Sequence, residues 1–137
     1  MSEDKYLILV VDDEPDMHAL SRLSLKNLKY KGQGVTLAFA STGAEAVTFM
    51  QEHPETAVIL LDVVMETSSA GLDACERIRA EIGNAFVRIL LRTGQPGAAP
   101  EKKVIDGYDI DGYLAKAELT TNRLYTAVRS AIKTYSE

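Results

Sequence analysis

The sequence predicts a single doubly wound α/β domain over residues 1–137, a (βα)5 unit with a five-stranded parallel sheet. Five short apolar runs recur along the chain, and stretches with helical spacing separate them. The run "AVILL" (57–61) is apolar at every position, as expected of a strand buried on both faces. Strands of that kind alternating with helices argue for a parallel sheet covered on each side.

The elements follow in order. "YLILVV" (6–11), "VTLAFA" (35–40), "AVILL" (57–61), "VRILL" (87–91) and "GYLA" (112–115) are the strands. In the first helix Met17, Leu20, Ser24 and Leu28 share a face; Ala46, Val47 and Met50 do so in the second. Leu72, Cys75, Ile78 and Ile82 mark the third. The fourth is the shortest: "PEKKVIDGY" allows barely two turns between Pro100 and Gly107. The last is the clearest, with Leu124, Val128, Ala131, Ile132 and Tyr135 in a stripe. There is no internal repeat, low-complexity tract or linker.

Composition narrows the function. A chain of 137 residues, 46% hydrophobic, supports one core and is no disordered tail. No apolar run approaches the roughly 20 residues of a membrane span, and "MSEDKY" lacks the basic start of a signal peptide. The lone Cys75 cannot form an internal disulfide, which fits a reducing cytoplasm. The net charge of -5 disfavours nucleic acid as a direct partner, leaving protein or metal.

Five polar residues break the pattern at one place. Asp12 and Asp13 follow strand one, Asp62 follows strand three, Thr93 lies just past strand four, and Lys116 closes strand five. All sit at the carboxyl ends of strands, the edge where open parallel sheets bind ligands. Three carboxylates brought together repel and need a cation. An all-oxygen set suits Mg²⁺, which favours few carboxylates and phosphate oxygens. A carboxylate beside Mg²⁺ can attack phosphorus and become an aspartyl phosphate. Lys116 and the Thr93 hydroxyl can help to neutralise the transferring oxygens. Asp62, at the mouth of the core after the third apolar run, reads as the nucleophile.

"ILVVDDEP", "ILLDVVM", "ILLRTG" and "GYLAK", in this order and spacing, resemble the receiver domain of two-component response regulators. The resemblance covers essentially the whole chain. It implies a flavodoxin-like strand order of 2-1-3-4-5. It further implies Asp62 as phosphoacceptor, and Asp12, Asp13, Asp62 and the backbone carbonyl of Val64 as the Mg²⁺ ligands. Thr93 would be the switch hydroxyl, Lys116 the phosphoryl-pairing lysine, and Tyr113 the switch aromatic. The implied function is a phosphorylation-dependent switch, with a sensor histidine kinase or phosphotransfer protein as donor. It would reshape the surface of the fourth helix, fifth strand and last helix, and it admits a phosphorylation-dependent dimer. The chain itself would catalyse only its own phosphorylation and dephosphorylation. "LRTGQPGAAPE" and "AKAELT" look like receivers at the front of HD-type cyclic-di-GMP phosphodiesterase proteins. The chain would then be the excised front of a longer protein; the other reading is a stand-alone receiver that acts by docking.

Two departures stand out. Ala117 follows Lys116 where receivers usually carry a cis proline; a cis bond before a non-proline costs about 2.5–4 kcal/mol, so the bond is trans or the site is strained. Glu66 stands where proline is common, in a loop one residue longer before Gly71, and either alters access to Asp62 or faces water. Plainer origins exist for each piece taken alone. "DDE" suits a helix N-terminus, Thr93 a turn, Lys116 a strand-end charge, and Tyr113 a packed aromatic. Cys75 lies on an apolar stripe, and His18 and His53 lack partners at zinc spacing. Other functions fare worse: an aspartyl phosphatase of the dehalogenase type would want an acid at Val64, a flavin domain a polar phosphate loop instead of "DDEP", and a nucleotide triphosphatase the motif GxxxxGK[ST]. The remaining alternative is a non-phosphorylated pseudo-receiver acting as a protein-interaction module.

Overall fold

The computed structural model describes residues 5–67, 69–94 and 107–137. Five strands, β1 (Tyr6–Val11), β2 (Val35–Ala40), β3 (Val58–Asp62), β4 (Arg88–Thr93) and β5 (Gly112–Ala115), form one sheet. All pairings are parallel and the order is β2-β1-β3-β4-β5. Among the described residues, four α-helices accompany it: α1 (Pro15–Leu25), α2 (Gly43–Glu52), α3 (Ala70–Glu76) and α4 (Thr121–Ser136). The short helix expected on "PEKKVIDGY" falls mostly on 95–106, outside the described residues.

Alternation along the strands sorts the core into two layers. Leu9, Val11, Ile59, Leu61, Ile89 and Leu91 point to the side covered by α2 and α3. Ile8, Val10, Val58, Leu60 and Leu90 point to the side covered by α1 and α4. Every residue of central β3 is buried, whereas edge strands β2 and β5 are largely half-exposed. A strand needs no alternating pattern when both of its faces are covered.

Beside the site, strand ends differ from the sequence reading. Asp62 and Thr93 are the last residues inside β3 and β4, not residues beyond them. The ladder runs on because it is made of main-chain groups: the Val63 N–H donates to the Arg92 carbonyl at 3.1 Å. Lys116 opens a short 3-10 turn, Lys116–Glu118, directly after β5.

Helix faces differ more. In α1 the buried positions are Ser21, Ser24 and Leu25, with Met17 and Leu20 half-buried. The serines tolerate burial because each hydroxyl donates to the carbonyl four residues back, to Met17 (2.8 Å) and Leu20 (2.7 Å). After α3 the chain widens into a π-helical turn, Arg77–Glu81, closed by the Ile82 N–H donating to the Arg77 carbonyl at 3.0 Å. The wider turn keeps Cys75 and Ile78 buried but leaves Leu72 and Ile82 at the margin. In α4 the expected stripe is buried through Ile132, and the Tyr135 hydroxyl donates to the Glu55 carbonyl at 3.2 Å.

Candidate functional site

The carboxyl ends of β1, β3, β4 and β5 converge. Val11 pairs with Leu61, so Asp12 and Asp62 stand on the next rung, and Asp62 pairs with Arg92. Because Val10, Leu60 and Leu90 face α1 and α4, alternation turns Asp12, Asp62 and Arg92 the same way. Three ionisable side chains therefore lie side by side across three neighbouring strands.

Lys116 gathers the acids. Its Nζ lies 2.9 Å from Asp12 Oδ2, 2.9 Å from Glu14 Oε1 and 3.1 Å from Asp62 Oδ2. Burial works against the charged amine, but hydrogen bonding to Glu14 and contact with Asp12 outweigh it, holding Lys116 above the ordinary lysine value. Oxygens of Asp12, Asp13, Glu14 and Asp62 come within 4.8 Å of one another. Asp12 is wholly buried, and its Oδ1 accepts the Glu14 N–H at 2.9 Å. Burial, then the charge of Asp12, pushes the Asp62 carboxyl above its usual range, with Lys116 pulling the other way. An acidic group of this kind favours a bound cation.

The structure thus brings together Asp12, Asp13, Asp62 and Lys116. Val64 lies in the loop after Asp62. Thr93 is buried at the end of β4, paired with Ala115, while Tyr113 pairs with Leu91 two residues back. Tyr113 is half-buried against the α2 and α3 side, the side to which alternation also turns Thr93. The Lys116–Ala117 peptide is trans, since the described residues contain no cis bond.

The loop after Asp62 is held from two directions. The Glu66 carboxylate accepts the N–H groups of Gly43 (2.9 Å) and Ala44 (3.2 Å), which open α2. Glu66 therefore neither faces bulk water alone nor reaches Asp62; it caps a helix. Partial burial raises its carboxyl, but the Gly43 N–H and other backbone donors outweigh this and leave it below the usual range. At Gly71 the N–H donates to the Val63 carbonyl at 2.9 Å, and a Cβ would collide with the Asp62 carbonyl. Only glycine lets α3 begin that close to the strand end.

Sequence reasoning missed Arg92, Glu14 and the anchoring role of Glu66. The signal for Arg92 was present: "ILLRTG" puts a full charge between a buried leucine and Thr93. Glu14 was visible only as part of "DDEP", and nothing local pairs it with a lysine 102 residues away.

Comparison with known proteins decides the family: the model of the response regulator receiver domain matches residues 8–129. The chain belongs to the response regulator receiver family. Receivers are signalling modules of two-component systems. The chain is also 43% identical over 136 residues to 3'3'-cGAMP-specific phosphodiesterase 2 of Vibrio cholerae serotype O1, covering 99% of this chain and 26% of that protein. It therefore spans about a quarter of the curated relative's length. Among solved structures, the signal receiver domain of an HD domain-containing protein from Pseudomonas fluorescens Pf-5 aligns with a TM-score of 0.79. That receiver is 23% identical, over 98% of this chain and all of the other. A CheY-like receiver from Methanospirillum hungatei JF-1 aligns at 0.75 with 18% identity, over 97% of this chain and 98% of the other. Both share the receiver fold.

Proposed function

We propose that residues 1–137 form one receiver domain working as a phosphorylation-dependent switch, with Asp62 as phosphoacceptor. The observation that carries this reading is the setting of Asp62. It ends the fully buried β3, 3.1 Å from the Lys116 amine and among carboxylates that offer only oxygen. Asp12, Asp13, Asp62 and the Val64 carbonyl suit Mg²⁺, since a tight group of hard oxygen donors is what that ion selects. Bound there, Mg²⁺ would supply positive charge for the oxygens of the transferring phosphoryl group.

The rest is done by the chain. An Asp62 carboxylate oxygen attacks phosphorus of a phosphohistidine on a sensor kinase or phosphotransfer protein. The P–N bond breaks and the imidazole leaves with its electron pair. Lys116, already charged and aimed at Asp62, pairs with the new phosphoryl oxygens. The Thr93 hydroxyl turns toward them, and Tyr113 answers by turning inward, reshaping the β5 and α4 surface; a phosphorylation-dependent dimer on that surface fits the same scheme.

Two-component signalling of this kind takes place in the cytoplasm, where the single thiol of Cys75 also fits. Cys75 is buried and its thiol is pushed up to about 11 by that burial, so it packs and does not react. No helix among the described residues is long and apolar enough to cross a membrane. For output, the Vibrio cholerae relative points to a cyclic-dinucleotide phosphodiesterase module beyond these residues. That relative is named for 3'3'-cGAMP, not cyclic-di-GMP. The test is uptake of beryllofluoride, a phosphoryl mimic, followed by fluorine NMR. A bound signal that requires both Mg²⁺ and Asp62 is expected; its absence would favour the pseudo-receiver alternative.

A further inference from the structure

Arg92 is the buried charge that this scheme leaves unused. Its side chain has no solvent exposure, and it leaves β4 on the same face as Asp62. From there it reaches across β3 to β1, where Nη2 stands 3.8 Å from Asp12 Oδ2. Nη1 donates to Ser21 Oγ of α1 at 3.3 Å. Among the described residues, Nε and Nη2 have no hydrogen-bond partner, and Asp12 Oδ2 is met by Lys116 Nζ at 2.9 Å and not by Arg92. An arginine held so deep, with two donors unmet, is costly unless its charge is used. Burial lowers its proton affinity, and the charges of Asp12, Asp62 and Glu14 resist that loss.

We propose that Arg92 is a fixed counter-cation built into the floor of the phosphoacceptor site, weakening its hold on Mg²⁺ in exchange for easier acceptance of the phosphoryl anion. This inference rests on the metal and phosphoacceptor reading above. Four carboxylates face two fixed cations, Lys116 and Arg92. Lys116 is partly open to solvent and stands at the rim, whereas Arg92 is enclosed, so water screens its charge poorly. A divalent cation entering the acidic group must work against that charge. A phosphoryl group, which brings about -1.5 to -2, gains from it. Arg92 is a positioning residue: it touches Asp12 and would touch neither the metal nor the phosphoryl group.

The test is calorimetric titration of Mg²⁺ into wild type, Arg92→Met, Arg92→Gln, Arg92→Lys and Asp13→Asn. Two neutral variants are used so that one misfolding does not decide the matter, and circular dichroism establishes folding. The expected result is Mg²⁺ affinity at least threefold tighter in both neutral variants, near wild type in Arg92→Lys, and largely lost in Asp13→Asn. A purely structural arginine would weaken binding when removed, so tightening is the discriminating sign. Unchanged or weaker affinity in the folded neutral variants, with Asp13→Asn still defective, overturns the role of Arg92 and leaves the metal site standing. Mg²⁺ binding by the neutral variants but not by wild type supports the proposal in its strongest form. Absence of binding in wild type and neutral variants alike, or binding indifferent to Asp13→Asn, removes the metal reading and this inference with it.

Discussion

Burial of the Asp62 carboxylate comes at a cost to the fold. The carboxyl is pushed up by burial and by Asp12, so the folded protein holds that proton more tightly than the unfolded chain does. The unfavourable contribution appears as pH rises through the ordinary aspartate range and persists above the raised folded value. Without divalent cations, Asp62→Asn should therefore be more stable than wild type at neutral pH, by about 1 kcal/mol or roughly 2–5 °C in melting temperature. The gap should close below the ordinary aspartate value, where wild-type Asp62 is protonated too. Thermal melts in chelator at both pH values check this; a variant less stable at neutral pH would mean that Lys116 binds Asp62 strongly enough to outweigh burial.

At the scale of elements, the loop between β3 and α3 links the site to α2. Glu66 has its carboxyl lowered by the backbone N–H groups of α2, so its stabilising effect is present above the ordinary glutamate value and lost as pH falls through the folded one. Glu66→Gln should cost about 0.5 kcal/mol at neutral pH, kept small by solvent screening of an exposed group. Chemical denaturation should show that loss at pH 7 and no difference once wild-type Glu66 is protonated. The registers of β4 and β5 carry a second expectation. Thr93 and Tyr113 sit two residues apart in register on one face of paired strands, so a pull on Thr93 should reach Tyr113. Hydrogen exchange with and without beryllofluoride should show altered protection at 93–94 and 107–115. Changes confined to 63–71 would place the output surface beside Glu66 instead. Much of this was legible in the chain. Apolar runs located all five strands, most plainly β3, where burial on both faces demands an apolar run up to Asp62. Helix faces were less legible, since serines that bond their own backbone can be buried, and a π-helical turn shifts the spacing after α3.

For the whole molecule, the shared sheet edge does most of the work. A parallel sheet ends all its strands together, which is why Asp12, Asp13, Asp62, Thr93 and Lys116 could be placed at one edge from sequence alone. What resisted reading was pairing across distance: Lys116 with Glu14, Glu66 with α2, and Arg92 with Asp12 depend on side-chain reach that no local pattern encodes. On the proposed function, this edge brings a phosphoryl group to Asp62. Its most direct measurement is incubation with acetyl phosphate and Mg²⁺, followed by intact mass and mapping of the modified residue. Wild type is expected to carry one acid-labile phosphoryl group, located at Asp62, absent without Mg²⁺ and absent in Asp62→Asn. A phosphoryl group retained by Asp62→Asn, or mapped to another residue, would contradict it.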